Sequence, residues 1–267
     1  MSEARVLVTI ADHVAHVRMN RPDKRNGLDP AMFEALIAAG EEVRADRSVR
    51  SVVLSGEGKA FCAGLDWMAF MQLGAEAAPR LLARDEAKSP ANVAQRVGWI
   101  WAECPVPVIA AVHGVAFGGG LQIALGADIR LVAPDAQLSV MEIKYGLVPD
   151  MGASKTLLRV VRSDVAKELT FTGRIVGGEE AVRLGLATRV ELDPLAAALE
   201  LARAIAQQSP HAIRAGKRLY DEAPALSTLE AFRLESELQV GLLGSPNQLE
   251  AVQAAMTKRA ATYRDVD

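Results

Sequence analysis

Two segments rich in small residues follow short apolar stretches, and both could bring backbone N–H groups against a ligand. The first reads Gly58-Lys-Ala-Phe-Cys-Ala-Gly-Leu-Asp66, and the second reads His113-Gly-Val-Ala-Phe-Gly-Gly-Gly-Leu-Gln122. Small side chains let a ligand approach the backbone closely. The second segment leads into a predicted helix, Leu121–Gly126, whose first N–H groups would favour negative charge. Two such donors facing one oxygen would form an oxyanion hole.

Two alternative interpretations of these residues stay open. Glycines in either segment alone could relieve crowding where a helix packs on a sheet. Cys62, His113 and Asp128 have the residue types of a nucleophilic triad, but no local signature links them. A buried thiol near a structural histidine is the favoured interpretation of that trio.

Signatures of bound cofactors are missing. Gly118-Gly-Gly120 lacks the third glycine of GxGxxG, because Ile123 occupies that position, and no GxxxxGK[ST] occurs. Cys62 and Cys104 lack the CxxC or Cys/His spacing of a zinc site. We therefore expect no cofactor and no metal. Two cysteines are too few for a disulfide framework, which favours a reducing cytoplasm.

The elements that must position these segments alternate between strands and helices. Arg5–Ile10 and His13–Met19 predict a hairpin, and Asp29-Pro30 predicts the start of a helix that ends near Arg47. Because parallel neighbours need a crossover, the alternation predicts an α/β fold with a largely parallel sheet. Further predicted strands are Ser51–Ser55, Val106–Val112 and Ile129–Ala133. A local hairpin is expected around Pro134-Asp135, between Ile129–Ala133 and Gln137–Val140.

The C-terminal part is predicted to be helical. Asp193-Pro194, Ser209-Pro210 and Ser245-Pro246 are typical helix starts, and the residues between them are rich in alanine and leucine. We therefore divide the chain into an α/β core, residues 1–195, and a helical region, residues 196–267.

Composition limits the partners. The 267 residues are 50% hydrophobic and 24% charged, with a net charge of −3, which fits a globular domain without an affinity for nucleic acid. Cys104–Ala127 is free of charge but contains Pro105, Pro107 and five glycines, so we expect a buried strand-turn-helix and no membrane partner. The N-terminus does not resemble a secretory signal, and we expect a cytoplasmic protein.

In this order and spacing, the segments resemble the crotonase family, also called the enoyl-CoA hydratase/isomerase family. The resemblance covers nearly the whole chain and implies a crotonase-like spiral of ββα turns, acyl-CoA binding, and a helical C-terminal trimerisation region. The assembly would be a homotrimer or a dimer of trimers. The matching segments are Arg21–Leu28, Ala60–Asp66, Gly114–Gly126, Glu142–Asp150, Phe171–Gly173, Glu179–Ala181 and Gly185-Leu186.

The resemblance also implies roles for single residues. The backbone N–H groups of Leu65 and Gly119 would receive the thioester oxygen as it becomes an enolate. Lys258 would reach the CoA of a neighbouring subunit, although the aromatic residue that the family often has three positions earlier is Ala255 here. The other implied CoA-binding residues are Lys24, Asn26, Ala60, Cys62 and Ala63.

The implied acid and base positions distinguish between reactions. Hydratases of the family use two glutamates, but here the first position is Gln122, which cannot ionise at neutral pH, and the second is Glu142. Glu142 alone suffices for a 1,3-proton shift. Glu142 and Asp150 also match the pair used by dienoyl-CoA isomerases, whose third carboxylate is replaced by Gln122. Asp150 is equally well explained as the N-cap of a helix through Ser154 and Leu157.

Three interpretations remain open. The first is an enoyl-CoA isomerase or weak hydratase of fatty-acid metabolism that works through an enolate. The second is another crotonase chemistry, such as dienoyl-CoA isomerisation or thioester hydrolysis. The third is an acyl-CoA binding protein without catalysis.

Overall fold

A six-stranded sheet with a smaller three-stranded sheet beside it organises the fold. The computed structural model describes residues 4–74, 77–87 and 89–266. The strands are β1 (Val6–Ala11), β2 (Val14–Met19), β3 (Ser51–Gly56), β4 (Val108–Val112), β5 (Val115–Phe117), β6 (Ile129–Val132), β7 (Gln137–Ser139), β8 (Val176–Gly177) and β9 (Arg189–Val190). The large sheet has the order β1-β2-β3-β4-β6-β9, and all its neighbours except β1 and β2 are parallel.

The predicted N-terminal hairpin is confirmed. β1 and β2 pair antiparallel from Val6 opposite Met19 to Ala11 opposite Val14. The two turn residues, Asp12 and His13, have φ values of 50° and 66°. Positive φ at both central residues is typical of the tight turn whose twist matches that of the flanking strands.

The expected hairpin around Pro134-Asp135 is wrong. β6 pairs with β4 and β9 in the large sheet, whereas β7 pairs with β5 and β8 in the small one. The chain therefore leaves one sheet at Pro134 and enters the other, where Gln137 N–H donates to the carbonyl of Gly114. Turn residues indicate a change of direction, but they do not specify the strand that the chain pairs with next.

The helices begin where capping residues predict. The Asp29 carboxylate accepts the N–H of Met32 and the Asp193 carboxylate accepts the N–H of Ala196, each with proline at the first helical position. Ser209 and Ser245 cap two later helices in the same way. The helices are α1 (Pro30–Ala45), α2 (Trp67–Leu73), α3 (Ala77–Leu82), α4 (Val93–Ala102), α5 (Gly119–Leu125), α6 (Ala153–Thr156), α7 (Ser163–Thr172), α8 (Gly178–Leu184), α9 (Pro194–Ala206), α10 (Pro210–Glu222), α11 (Thr228–Leu242) and α12 (Pro246–Thr257).

Helix α9 covers one side of the large sheet. Its alanines Ala198, Ala202 and Ala206 are buried in one cluster with Val53 and Ile109 of the central strands. This helix spans residue 196, so the predicted boundary between the core and the helical region falls inside an element that packs on the sheet. The division itself stays a prediction.

Helices α10 to α12 expose large apolar side chains. Within the described residues, no helix combines the length and the apolar character needed to cross a membrane. The implied assembly would cover apolar side chains of this kind, and it stays a prediction. The exposed apolar residues of these helices include Tyr220, Leu229, Phe232, Val240, Leu249, Val252 and Met256.

Glycines at helix contacts provide a test of the packing. A Cβ atom at Gly126, just after α5, would lie 2.1 Å from the carbonyl oxygen of Gly98 in α4. We expect Gly126→Ala to lower the free energy of unfolding by about 1–3 kcal/mol, because backbone must move to admit the methyl group. Thermal denaturation measures the effect.

The matched control is Gly241→Ala in α11, where the new methyl group would meet no described atom within 4 Å beyond its chain neighbours and its own helix backbone. This substitution should be neutral or stabilising by up to about 1 kcal/mol, since alanine favours the helix over glycine. Equal losses of Tm in the two variants would contradict the packing between α4 and α5.

Candidate active site

The two small-residue segments pair with each other and form the floor of the site. Cys62 N–H donates to the carbonyl of Val115, and Phe117 N–H donates to the carbonyl of Cys62. The same segment also pairs with Leu28, whose N–H donates to the Gly64 carbonyl at 2.8 Å. A Cβ atom at Gly64 would lie 2.6 Å from the carbonyl oxygen of Phe117, so only glycine permits this approach.

The N–H groups of Leu65 and Gly119 are free at this junction. Helix α5 begins at Gly119, two residues before the predicted start, after Gly118 with φ 51°. As the first helical residue, Gly119 has no carbonyl partner within the helix. Throughout the part of the chain that the structure describes, neither Leu65 N–H nor Gly119 N–H donates to a protein acceptor. Both residues line one cavity, as an oxyanion hole requires.

This active-site cavity has a volume of about 350 Å³ and a mostly apolar wall. Only two carboxylates, Glu142 and Asp150, belong to its described lining. Among the described residues, no cluster of three His, Cys, Asp or Glu could hold a metal ion. The described lining residues are Phe33, Ala63, Gly64, Leu65, Trp67, Phe70, Leu81, Ala94, Phe117, Gly118, Gly119, Met141, Glu142, Tyr145, Leu147, Asp150 and Met151.

Glu142 has one fixed oxygen and one free oxygen. It begins the 3₁₀ turn Glu142–Tyr145, and its Oε1 accepts a hydrogen bond from Gln122 Nε2 at 2.6 Å. Its Oε2 is buried and has no hydrogen-bond partner among the described residues. Burial raises the pKa of Glu142 above its ordinary value, and the negative charge of Asp150 adds to this effect. A free carboxylate oxygen of this kind can take up a proton.

Gln122 lies behind Glu142, outside the cavity lining. Its side-chain Oε1 accepts the N–H of Met151 at 2.8 Å and the N–H of Ala153 at 3.3 Å. Because the oxygen faces two N–H donors, the amide nitrogen must face Glu142. Gln122 therefore contacts Glu142 and backbone N–H groups, and it does not belong to the described cavity lining. Gln122 is only 2% exposed and is a positioning residue that orients the Glu142 carboxylate.

Asp150 lines the cavity and does not cap the helix that follows it. The expected N-cap is wrong, since α6 begins after Gly152, which has a left-handed conformation, and no side chain caps that helix. Burial raises the pKa of Asp150 above its ordinary value. Glu142 and Asp150 are thus two carboxyl groups with raised pKa values in one cavity, which is the arrangement expected of acid and base groups.

The predicted CoA-binding residues divide into two groups. Asn26, Ala60 and Cys62 are buried in this chain, with exposures of 0%, 1% and 0%, and their contact with CoA stays a prediction. Asn26 Nδ2 donates to the carbonyls of Glu57 and Ala60, and this bond fixes the loop from inside. Ala63 does line the cavity.

The two predicted lysines remain predictions. Lys24 is exposed at the end of the 3₁₀ turn Pro22–Lys24. Lys258 is exposed at the C-terminal end of α12, with φ 53°, and is not part of the cavity lining. Its contact with the CoA of a neighbouring subunit stays a prediction.

The alternative Cys62 triad is contradicted. The Cys62 thiol donates to the carbonyl of Asn26 at 3.1 Å, and burial raises its pKa to about 12. His113 Nε2 hydrogen-bonds to the carbonyl of Gly58, and the Asp128 carboxylate binds Lys217 and the N–H of Val108. A nucleophilic cysteine needs its thiolate, which this environment disfavours.

Sequence reasoning missed the aromatic wall of the cavity. The Trp67 and Tyr145 rings lie 4.9 Å apart, and the Phe33 and Phe70 rings meet edge-on at 5.6 Å. Trp67 directly follows the first small-residue segment and Tyr145 lies three residues after Glu142, so their positions beside candidate site residues were a usable signal.

The raised pKa of Glu142 makes stability depend on pH in a defined direction. The folded protein holds this proton more tightly than the unfolded chain, so the stabilising contribution is present at low pH and is lost as pH rises through the folded pKa. Glu142→Gln stays neutral and can still accept the bond from Gln122. We expect the Tm of this variant, relative to the parent, to increase from about pH 4 to about pH 8.

Glu200→Gln, on the exposed surface of α9, is the control. Its Tm difference from the parent should change little over the same range, because this side chain is not buried on folding. A Glu142→Gln difference that stays constant or falls with pH would contradict a Glu142 whose pKa is raised by burial.

Comparisons with known proteins agree on one family. The family model described as enoyl-CoA hydratase/isomerase matches residues 9–266. The Δ3,5-Δ2,4-dienoyl-CoA isomerase of Rattus norvegicus mitochondria is 32% identical over 92% of this chain and 77% of its own length. A protein named as a probable enoyl-CoA hydratase in Mycobacterium tuberculosis is 37% identical over 88% of this chain and 90% of its own.

A solved structure shows the same fold. The enoyl-CoA hydratase of Bacillus anthracis superposes with a TM-score of 0.88 at 30% identity, covering 97% of this chain and 98% of that one. These matches confirm the crotonase-like fold and the prediction of an enzyme of the hydratase/isomerase type. The chain therefore belongs to the crotonase, or enoyl-CoA hydratase/isomerase, family.

Proposed function

We propose that this enzyme isomerises unsaturated acyl-CoA thioesters by moving a proton, and that hydration is at most a slow side reaction. The observation that supports this most directly is the state of Glu142. One carboxylate oxygen is held by Gln122 and the other is buried and free, in a cavity that also contains the unpaired N–H groups of Leu65 and Gly119.

The proposed reaction needs only these groups. The thioester oxygen of a 3-enoyl-CoA accepts the N–H bonds of Leu65 and Gly119. Oε2 of Glu142 takes a proton from C2, and the C–H electron pair moves to form the enolate. The same carboxyl group returns the proton to C4, and the double bond ends between C2 and C3. The raised pKa brings Glu142 closer to the working pH, where proton transfer in both directions is efficient.

Hydration would need a second group to hold and split a water molecule. Gln122 replaces the first hydratase glutamate, and its oxygen already accepts two backbone N–H groups. An amide does not ionise at neutral pH, and losing one acid or base typically costs about 10²–10⁴-fold in rate. Thioester hydrolysis has the same requirement for an activated water.

Dienoyl-CoA isomerisation is the second candidate, because Asp150 shares the cavity with Glu142. In a 3,5-dienoyl-CoA, Glu142 would remove the C2 proton and Asp150 would donate a proton at C6, giving the 2,4-dienoyl product. The similarity to mitochondrial dienoyl-CoA isomerases supports this candidate. The third carboxylate position of those enzymes is Gln122 here, which favours the simpler shift.

The proposal also covers the assembly of the enzyme, its contacts with CoA and its cellular location. Exposed apolar side chains on α10 to α12 support assembly as a homotrimer or a dimer of trimers, in which Lys258 would reach the CoA of a neighbour. Lys24 and Ala63 would contact CoA on the same subunit. Two buried free cysteines suit a cytoplasmic location, and fatty-acid metabolism supplies the substrate class.

A panel of 3-enoyl, 2-enoyl and 3,5-dienoyl thioesters with product identification tests the proposal. We expect the parent to convert the 3-enoyl thioester to the 2-enoyl isomer and to form little 3-hydroxyacyl product. Glu142→Gln should lower isomerisation by at least about 10²-fold, the contribution of one positioned base.

Glu200→Gln is again the control and should match the parent. Asp150→Asn should lower the rate on the dienoyl thioester more than the rate on the 3-enoyl thioester if Asp150 serves the second candidate. Rapid hydration by the parent, or isomerisation that survives in Glu142→Gln, would overturn the proposal.

A further inference from the structure

A second apolar cavity adjoins the active-site cavity and shares lining residues with it. Its volume is about 320 Å³, close to that of the first. One side is the surface of α1, with Ile37 and Ala38, and the other side is formed by α3 and the start of α4. The charged groups of its described lining, Glu34 and Arg80, bind each other and are exposed, so the interior stays apolar.

A wall of apolar side chains separates the two cavities. Phe33, Phe70 and Leu81 line both of them, and each comes from a different helix. At the start of α4, Val93 lines the second cavity while its neighbour Ala94 lines the first. Phe33 and Phe70 are buried, with exposures of 2% and 6%. The cavities are separated by these side chains and not by backbone, so a passage between them requires only rotation of the side chains.

The polar groups of the site lie on one side of this wall. Glu142, Asp150 and the free N–H groups of Leu65 and Gly119 belong to the first cavity only. A thioester held by these groups therefore has its reacting carbons in the first cavity. The part of the acyl chain beyond them meets apolar surface, and the second cavity continues that surface.

We propose that the second cavity receives the distal part of a long, unbranched acyl chain, which passes the Phe33–Phe70–Leu81 wall. The substrate class is then medium- and long-chain acyl-CoA, bound more tightly than short-chain acyl-CoA. This inference rests on the proposed acyl-CoA function and specifies its substrate.

Affinity for saturated acyl-CoA thioesters tests the proposal without catalysis. Butanoyl-CoA and dodecanoyl-CoA are titrated into the parent, Ala38→Phe and Ala31→Phe by calorimetry. Ala38 is an exposed helical position that lines the second cavity, so a phenyl ring there fills the cavity with little effect on folding. Ala31, also exposed on α1, lines neither cavity and is the matched control.

We expect the parent to bind dodecanoyl-CoA at least about tenfold more tightly than butanoyl-CoA, since burial of two methylene groups already provides this ratio. Ala38→Phe should reduce the ratio to about twofold by weakening the longer ligand alone, while Ala31→Phe should keep the parent ratio. Equal affinities in the parent, or an unchanged ratio in Ala38→Phe, would overturn the proposal. Failure of the isomerase proposal would show separately, in the products formed from the thioester panel.

Discussion

The contact between the two small-residue segments is the constraint on which the site depends. A Cβ atom at Gly120 would lie 2.3 Å from the carbonyl oxygen of Cys62, and one at Gly64 would lie 2.6 Å from the carbonyl oxygen of Phe117. Glycine at both positions lets the backbones meet. This contact brings Leu65 and Gly119, with their unpaired N–H groups, to the wall of one cavity. Asn26 supports the arrangement from inside through its bond to the Ala60 carbonyl.

Gln122 links this backbone framework to the acid–base chemistry. The N–H groups of Met151 and Ala153 fix its amide, and the amide fixes one oxygen of Glu142 at 2.6 Å. A carboxylate in this position would instead repel Glu142, and the two groups would share one proton. Glutamine keeps the orientation without a second titrating group. Glutamine at this position, which disfavours hydration, thus orients Glu142 for proton transfer.

Local signals in the sequence predict much of this arrangement. Asp29-Pro30 and Asp193-Pro194 start their helices as expected, because N-capping depends only on neighbouring residues. The pairing of β7, the burial of Asn26 and the partners of Gln122 depend on segments far apart in the chain, so their residue types do not reveal them. Asp150 shows the same limit. Its residue type fits a helix N-cap, but the path of the chain places Asp150 in the cavity lining instead.

In the proposed reaction, Glu142 removes the C2 proton of a thioester whose oxygen is bound by the N–H groups of Leu65 and Gly119. Exchange of the C2 protons of bound butanoyl-CoA in D₂O, followed by NMR, measures this step without isomerisation. We expect exchange by the parent and none by Glu142→Gln, with affinities for butanoyl-CoA that agree within a few-fold. Exchange by Glu142→Gln at the parent rate would contradict this role and show that another group is the base.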